Sequence, residues 1–539
     1  MRTWILAFVA GATAVVLLVT TVGFVVQTRR LGAAEVRAAE YAAEVGQLQE
    51  QVRRLEAGGG GGDGLGGLLD GLGGEGGGLG DLLDGLLGGD GLGDAFGQAH
   101  GMACMGLGDG LGGLGGLLGE GGLGDLGGLG DLGGLFGGDG AGDLEGLLGD
   151  LGDPADAPET TPSLPDDPDA LVETLVPQVA ADRELDWTDP VEVDFLTGAE
   201  LQGRLDALLE EDADPVADDA YERLLVALGA APSDFDLPAT RQTLLGDQVA
   251  GFYVPDTGEL VVRVPDDGQI GTLDKVTLAH ELQHALADQA LGLPDLANLE
   301  GHDRVLAHQA VVEGDATLFM NQWMLANISM QEQMAAATDA ADTQAGLDAV
   351  PHHVQRELLF PYTEGLDWVC DQWLEDGWTS VDAAYASPPT TTAEILFGEA
   401  TSPRDVTVPD APSGYDEVSN DEFGAAPLLW LFEAPGGDAA RSLPEPRQAA
   451  SAWAGGRSAV FADSDDTAVS VVLADAAGTL CDDVATWYAA AFRDATSTRS
   501  GDTTSFAGPA QHAAINCDAD TVRVGIAPDP QTAQALAQG

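Results

Sequence analysis

The sequence predicts a mostly helical α+β domain over residues 171–539, carried behind an N-terminal membrane helix and a low-complexity spacer. Three observations lead there. The stretch "VTLAHELQHALADQ", residues 276–289, repeats apolar side chains at helical intervals and sets His280 and His284 four apart. A small sheet or hairpin pattern stands just before it. The first 153 residues are instead an apolar run, a charged stretch and a tract of Gly, Leu and Asp, none with globular composition.

Residues 1–30 hold an uncharged, mostly apolar run between Arg2 and Arg29, long enough to span a bilayer as a helix. No A-x-A-like cleavage site follows directly, so a single-pass anchor in the cell membrane is expected. Arg29, Arg30 and Arg37 follow the span and only Arg2 precedes it, which by the positive-inside rule would hold the rest of the chain inside. Cys481 and Cys517 argue the other way. As a disulfide candidate placed to staple the C-terminal region, they favour an extracellular domain, although two buried thiols are the plainer reading. Cys104 and Cys370 have no evident partners in the sequence.

Residues 31–57 form a charged helix with Tyr41, Val45, Leu48, Val52 and Leu55 at a/d-like spacing, a short coiled coil or a lone amphipathic helix. Residues 58–153 are the Gly/Leu/Asp-rich spacer. Their aspartates lack the register of a calcium-binding repeat, and so much glycine makes ordering costly in entropy. The leucines leave self-association through residues 31–153 open. A Pro/Asp-rich linker, 154–170, completes the tether. The formal charge is −69 and Lys275 is the only lysine, which excludes nucleic acid and anionic surfaces as natural partners.

Within the domain, the spacing of His280 and His284 turns both imidazoles toward one point on a helix face. Glu281 leaves the backbone about 100° around, near enough to reach a water on a shared metal without ligating it. H-E-L-Q-H thus matches the motif in which two neutral imidazoles hold Zn²⁺ and a glutamate takes a proton from water. With 8 His and 90 acidic residues in 539, about 0.02 such matches are expected by chance. Thr272 or Asp274 is the expected N-cap. A plain helix with two hydrogen-bonded histidines is the competing reading.

Zinc held by two histidines needs a third protein ligand. One pattern places a histidine six residues after the second, with a glycine three after it, but Ala290 and Ala287 stand there. The other takes a glutamate from a later helix, and Glu313 in "AVVEGDATLFM" lies among Val311, Val312, Ala316 and Leu318, where an unpaired carboxylate is costly. A purely structural zinc would want cysteines, and none lies near in sequence. Upstream, strands near 249–254 and 259–264 flank Pro255, Asp256, Thr257 and Gly258, a hairpin whose exposed edge would accept an extended peptide. Tyr362 leads Tyr253, His352 and His353 as the donor for a developing oxyanion. Arg457 is a candidate for a substrate carboxylate, or for an ordinary pair with an aspartate.

"AHELQHALADQ" followed by "AVVEGDATLFM" resembles the gluzincin-type (HExxH + Glu) zinc metallopeptidases. More narrowly, the chain is similar to an uncharacterised bacterial and archaeal group of predicted zinc peptidases with H-E-L-x-H-A-L-x-D-Q. The similarity covers residues 240–490 and includes "GFYVPDTGELVV", "LFPYTEGLDWV", "SPPTTTAEIL" and "AASAWAGGR". It implies a zincin-like catalytic domain in which a small sheet joins the active-site helix and a second helix bears the glutamate. It also implies His280, His284 and Glu313 as Zn²⁺ ligands, Glu281 as general base and a peptide or protein substrate. Thr317 stands where the best-known members have an Asp that orients the first histidine, so Asp315 or Asp288 is expected to supply that support. Asp288 has the alternatives of pairing with Lys275 or capping the helix. The function expected is that of a membrane-anchored zinc metallopeptidase. The alternative is an inactive, metallopeptidase-like surface interaction protein on a flexible stalk, a module with no use for the intact Glu281.

Overall fold

The computed structural model describes residues 164–539 apart from 266–267, 269, 330–331, 334–349, 399–401, 464–465 and 519. The anchor at 1–30, the charged helix at 31–57, the spacer at 58–153 with Cys104, and the linker up to residue 163 lie outside the described residues. Among the described residues, no helix is long and apolar enough to cross a membrane.

The chain is α+β, as expected. Helix α1 (Pro168–Arg183) leads to β1 (Val193–Thr197), α2 (Gly198–Asp212), α3 (Pro215–Ala227) and α4 (Leu237–Gln248). The hairpin β2 (Gly251–Val254) and β3 (Glu259–Val264) precedes α5 (Thr272–Leu291), and the long helices α6 (His302–Asn327) and α7 (His352–Asp376) follow. Next come α8 (Trp378–Ala386), α9 (Thr392–Phe397), β4 (Asp416–Glu422), α10 (Ala425–Glu433), α11 (Pro446–Ala450), β5 (Trp453–Ala462) and β6 (Thr467–Asp475). The last elements are α12 (Leu480–Ala491), β7 (Thr496–Ser500), β8 (Thr503–Ala507), β9 (His512–Asp518), β10 (Thr521–Ala527) and α13 (Pro530–Gln538). Several helices start where an aspartate accepts free first-turn amides and a proline follows, as at Asp167, Asp214 and Asp529.

The expected hairpin is present, and β1 joins it in parallel to make a three-stranded sheet in the order β1-β3-β2. Strand β2 ends this sheet, but all four of its residues are buried. Phe252 and Val254 pack on Leu201, Leu205 and Leu208 of α2, while Tyr253 faces Leu278 and Leu282 of α5. With all four residues buried, β2 does not present the exposed edge expected for an incoming peptide. A second, seven-stranded antiparallel sheet runs β4-β5-β6-β10-β9-β8-β7. Sequence pattern suggested one hairpin in a helical domain and missed this sheet; its edge strand "TSTRS" has no apolar pattern, but "TAVSVVLAD" and "TVRVGIA" carry β-branched runs that could have revealed it. Cys481 on α12 and Cys517 on β9, 36 residues apart, are joined as a disulfide. Cys370 is disulfide-bonded too, contrary to the expectation of no partner.

One apolar cluster surrounds the large sheet and takes in Leu306, Ala310, Val354 and Phe360 from the N-terminal halves of α6 and α7. Another surrounds α5 and takes in Leu318, Phe319, Tyr362 and Leu366 from farther along the same two helices. Between the clusters, α6 and α7 touch backbone to backbone. A Cβ on Gly314 would lie 2.4 Å from the Gly365 carbonyl oxygen, and one on Gly365 would lie 2.4 Å from that of Ala310. This approach sets Glu313 beside Tyr362. Gly365→Ala is therefore expected to destabilise the chain by about 1–3 kcal/mol through forced separation of the helices; an unchanged denaturation midpoint would show that the crossing yields freely.

A buried acid fixes the start of α6. Asp303, 2 % exposed, accepts from the Thr392 amide at 3.3 Å and from its hydroxyl, which in turn accepts from the Ala426 amide at 3.0 Å. That chain of bonds ties α6 to α9 and α10 and gives the "TTTAEIL" block a structural role. Burial pushes the Asp303 carboxyl from its ordinary 3.8 up to about 7, against the opposing hydrogen bonds from Thr392. Because the folded value is raised, the stability tied to this group is fullest below about pH 4 and lost as pH rises through about 7. Asp303→Asn keeps the Oδ1 acceptor, so urea midpoints for the variant should gain on the wild type between about pH 5 and pH 8. A constant difference would remove Asp303 as the source.

Candidate metal centre

The N-cap of α5 is Gly271 rather than Thr272 or Asp274; the Asp274 side chain reaches back to accept the Gly271 amide at 3.1 Å. From there the helix is buried almost throughout. His280 and His284 stack edge to face with their Nε2 atoms 3.0 Å apart. Glu313 of α6 brings Oε2 to 3.3 Å from each of them. Two donors about 2.0–2.1 Å from a tetrahedral cation stand about 3.3 Å apart, so this triangle fits one face of such a site. Two imidazole nitrogens and one carboxylate are also a donor set that zinc accepts. Among the described residues this is the one cluster of at least three His, Cys, Asp or Glu close enough to share a metal.

The electrostatics of the cluster follow from its burial. Desolvation pushes the Glu313 carboxyl up, but the two imidazoles more than reverse that and leave it below its ordinary value. Glu281, 0 % exposed and with no hydrogen-bond partner on either oxygen, is pushed up to about 8 by burial, with His280 opposing and Glu313 adding. A buried carboxylate without partners is costly unless it serves a further purpose. Strand β2 presses against it: a Cβ on Gly251 would fall 2.9 Å from Thr277 Cγ2 and 3.3 Å from Glu281 Cγ, so only glycine fits there. The Tyr362 ring lies 6.5 Å from that of His280, and burial together with Glu313 keeps its phenol protonated and able to donate.

Other expected residues lie elsewhere. Asp315 does not orient an imidazole. Two positions past Glu313 on the helix, it points away from the cluster. There it takes Arg183 Nε and Nη2, both at 3.1 Å, and the Tyr385 hydroxyl at 2.8 Å. Arg183 also donates to Asp382 at 2.6 Å and stacks 4.2 Å over Trp378, so α1 and α8 are pinned to α6 just beyond Glu313. Asp288 accepts from the Tyr253 hydroxyl at 2.7 Å and the Leu293 amide at 3.3 Å, tying β2 to the end of α5. Lys275 pairs instead with Asp166. The His280 Nδ1 and the Thr317 hydroxyl are both buried without partners, so the departure at Thr317 is not made good by either aspartate. His352 pairs with Glu433 and His353 packs on Trp430, away from the centre. Arg457 donates to Asn420 on the neighbouring strand and not to an aspartate. The Arg183 network had no sequence signal beyond a lone basic residue ending a helix, and local spacing could not have revealed its partners.

A scan against protein-family models finds no match, and searches of curated proteins and of solved structures find none.

Proposed function

We propose that the chain is a zinc-dependent peptide hydrolase with a zincin-like catalytic domain, tethered to the cell membrane by its first 30 residues and acting outside the cell. The observation that carries this reading is the triangle of His280, His284 and Glu313 with the buried, unpartnered Glu281 beside it. Bound zinc supplies Lewis acidity toward a water and the scissile carbonyl. The residues do the rest. His280 and His284 would hold the cation, and Glu313 would offset part of its charge. Glu281 takes the proton of the attacking water and returns it to the leaving amine. Tyr362 donates toward the carbonyl oxygen as it gains charge. The resemblance to gluzincin-type metallopeptidases supports the assignment of roles, and the Cys481–Cys517 disulfide supports an oxidising compartment. The test joins metal analysis of the purified chain to a peptide-library digest. About one zinc per chain with cleavage supports the reading; zinc without cleavage leaves a binding module, and no zinc removes the centre.

A further inference from the structure

A cavity of about 470 Å³ lies among α3, α4, β4 and the N-terminal halves of α6 and α7, and none of His280, Glu281, His284, Glu313 or Tyr362 lines it. Its size suits a small ligand or one large side chain. Leu224, Leu244, Val305, Val354 and Phe423 make its wall largely apolar. The polar side is a relay: Tyr221 donates to Glu357 Oε2 at 2.5 Å, and His302 Nε2 meets Oε1 at 3.2 Å.

Two more polar groups line the cavity. Gln309 is 2 % exposed and its side-chain amide belongs to the lining. His353 is 4 % exposed with Nδ1 unpartnered, and burial pushes its imidazole down to about 4, leaving it neutral at physiological pH. Buried groups of this kind cost stability unless something satisfies them. The lining also carries Asp214, Asp218, Glu357, Asp421 and Glu422 against only Arg241 and His302, an excess that favours positive charge.

We infer that this cavity binds an organic cation with an apolar body. The ammonium or guanidinium lies at Glu357 and Asp421, Gln309 and His353 supply neutral hydrogen bonds, and the body rests on the leucines. Such a cation has two sources, a free amine or a basic side chain of a peptide lying over the metal centre. The second is within reach, since Gln309 precedes Glu313 by four residues, about 6 Å along α6. Only that second source rests on the proposed hydrolysis.

Isothermal titration of the full chain with 2-phenylethylamine, beside uncharged 2-phenylethanol, reads the binding without any turnover. The amine should bind at least about tenfold more tightly than the alcohol, and Glu357→Gln should erase that margin. Leu224→Trp, which fills the cavity, should abolish both. Equal binding of the two probes, or amine binding that survives both substitutions, overturns the inference even if the chain cleaves peptides well. A digest with and without saturating amine then separates the sources. Preference for Lys or Arg at one fixed position, suppressed by the amine, assigns a substrate side chain; cleavage indifferent to the amine assigns a separate ligand.

Discussion

Glu281→Gln is expected to lower peptide hydrolysis about 10²–10⁴-fold while the chain still takes up zinc. The substitution is nearly isosteric and leaves His280, His284 and Glu313 untouched, so the donor triangle survives. What disappears is the carboxylate proposed to take the proton of the attacking water. Glu281 is buried with no hydrogen-bond partner, so the amide adds no clash with an existing network. His284→Ala is the control, because it should lose metal and activity together. The decisive pair of measurements is zinc content and kcat on the same preparation. Full kcat in the Gln variant would strip Glu281 of its role, and lost zinc would make the result one of structure.

Arg183→Ala should be the most damaging substitution away from the centre, costing about 3–5 kcal/mol. The guanidinium is fully buried, and its removal strands the Asp315 carboxylate, also 0 % exposed, in an apolar interior. Coming out of the roughly 5–15 kcal/mol that holds a domain folded, such a loss threatens the native state itself. Arg183→Met combined with Asp315→Asn should recover part of it, since no charge is then left buried alone. Chemical denaturation of both variants beside the wild type checks both statements; a loss below about 1 kcal/mol for Arg183→Ala would mean that water or another cation reaches Asp315. Because Asp315 is two residues from Glu313, weakened zinc binding should accompany the loss.

Much of the centre was legible in advance. The four-residue interval between His280 and His284 is a helix-face interval, and Glu313 stood out as an acid in an apolar run, so chemistry and spacing pointed to the same three donors. Tyr362 was legible as a residue type but not as a neighbour. Its position depends on Gly314 and Gly365, two glycines whose value lies only in letting helices distant in sequence touch. The supporting aspartates were misread for the same reason. Asp315 and Asp288 sit at plausible intervals from Glu313 and His284, yet Arg183 and Tyr253 claim them from 132 and 35 residues away.

Spacing along the chain thus settled which side chains share a helix face, because helical geometry repeats every few residues and needs no partner. The period-two alternation of strands settled the hairpin ahead of α5 in the same way. Folding across long separations settled the rest: the seven-stranded sheet, the burial of β2, the Arg183 network and the cavity at Glu357. Each of these depends on which segments meet, which no local pattern specifies, and its energy exists only once packing has removed both partners from water.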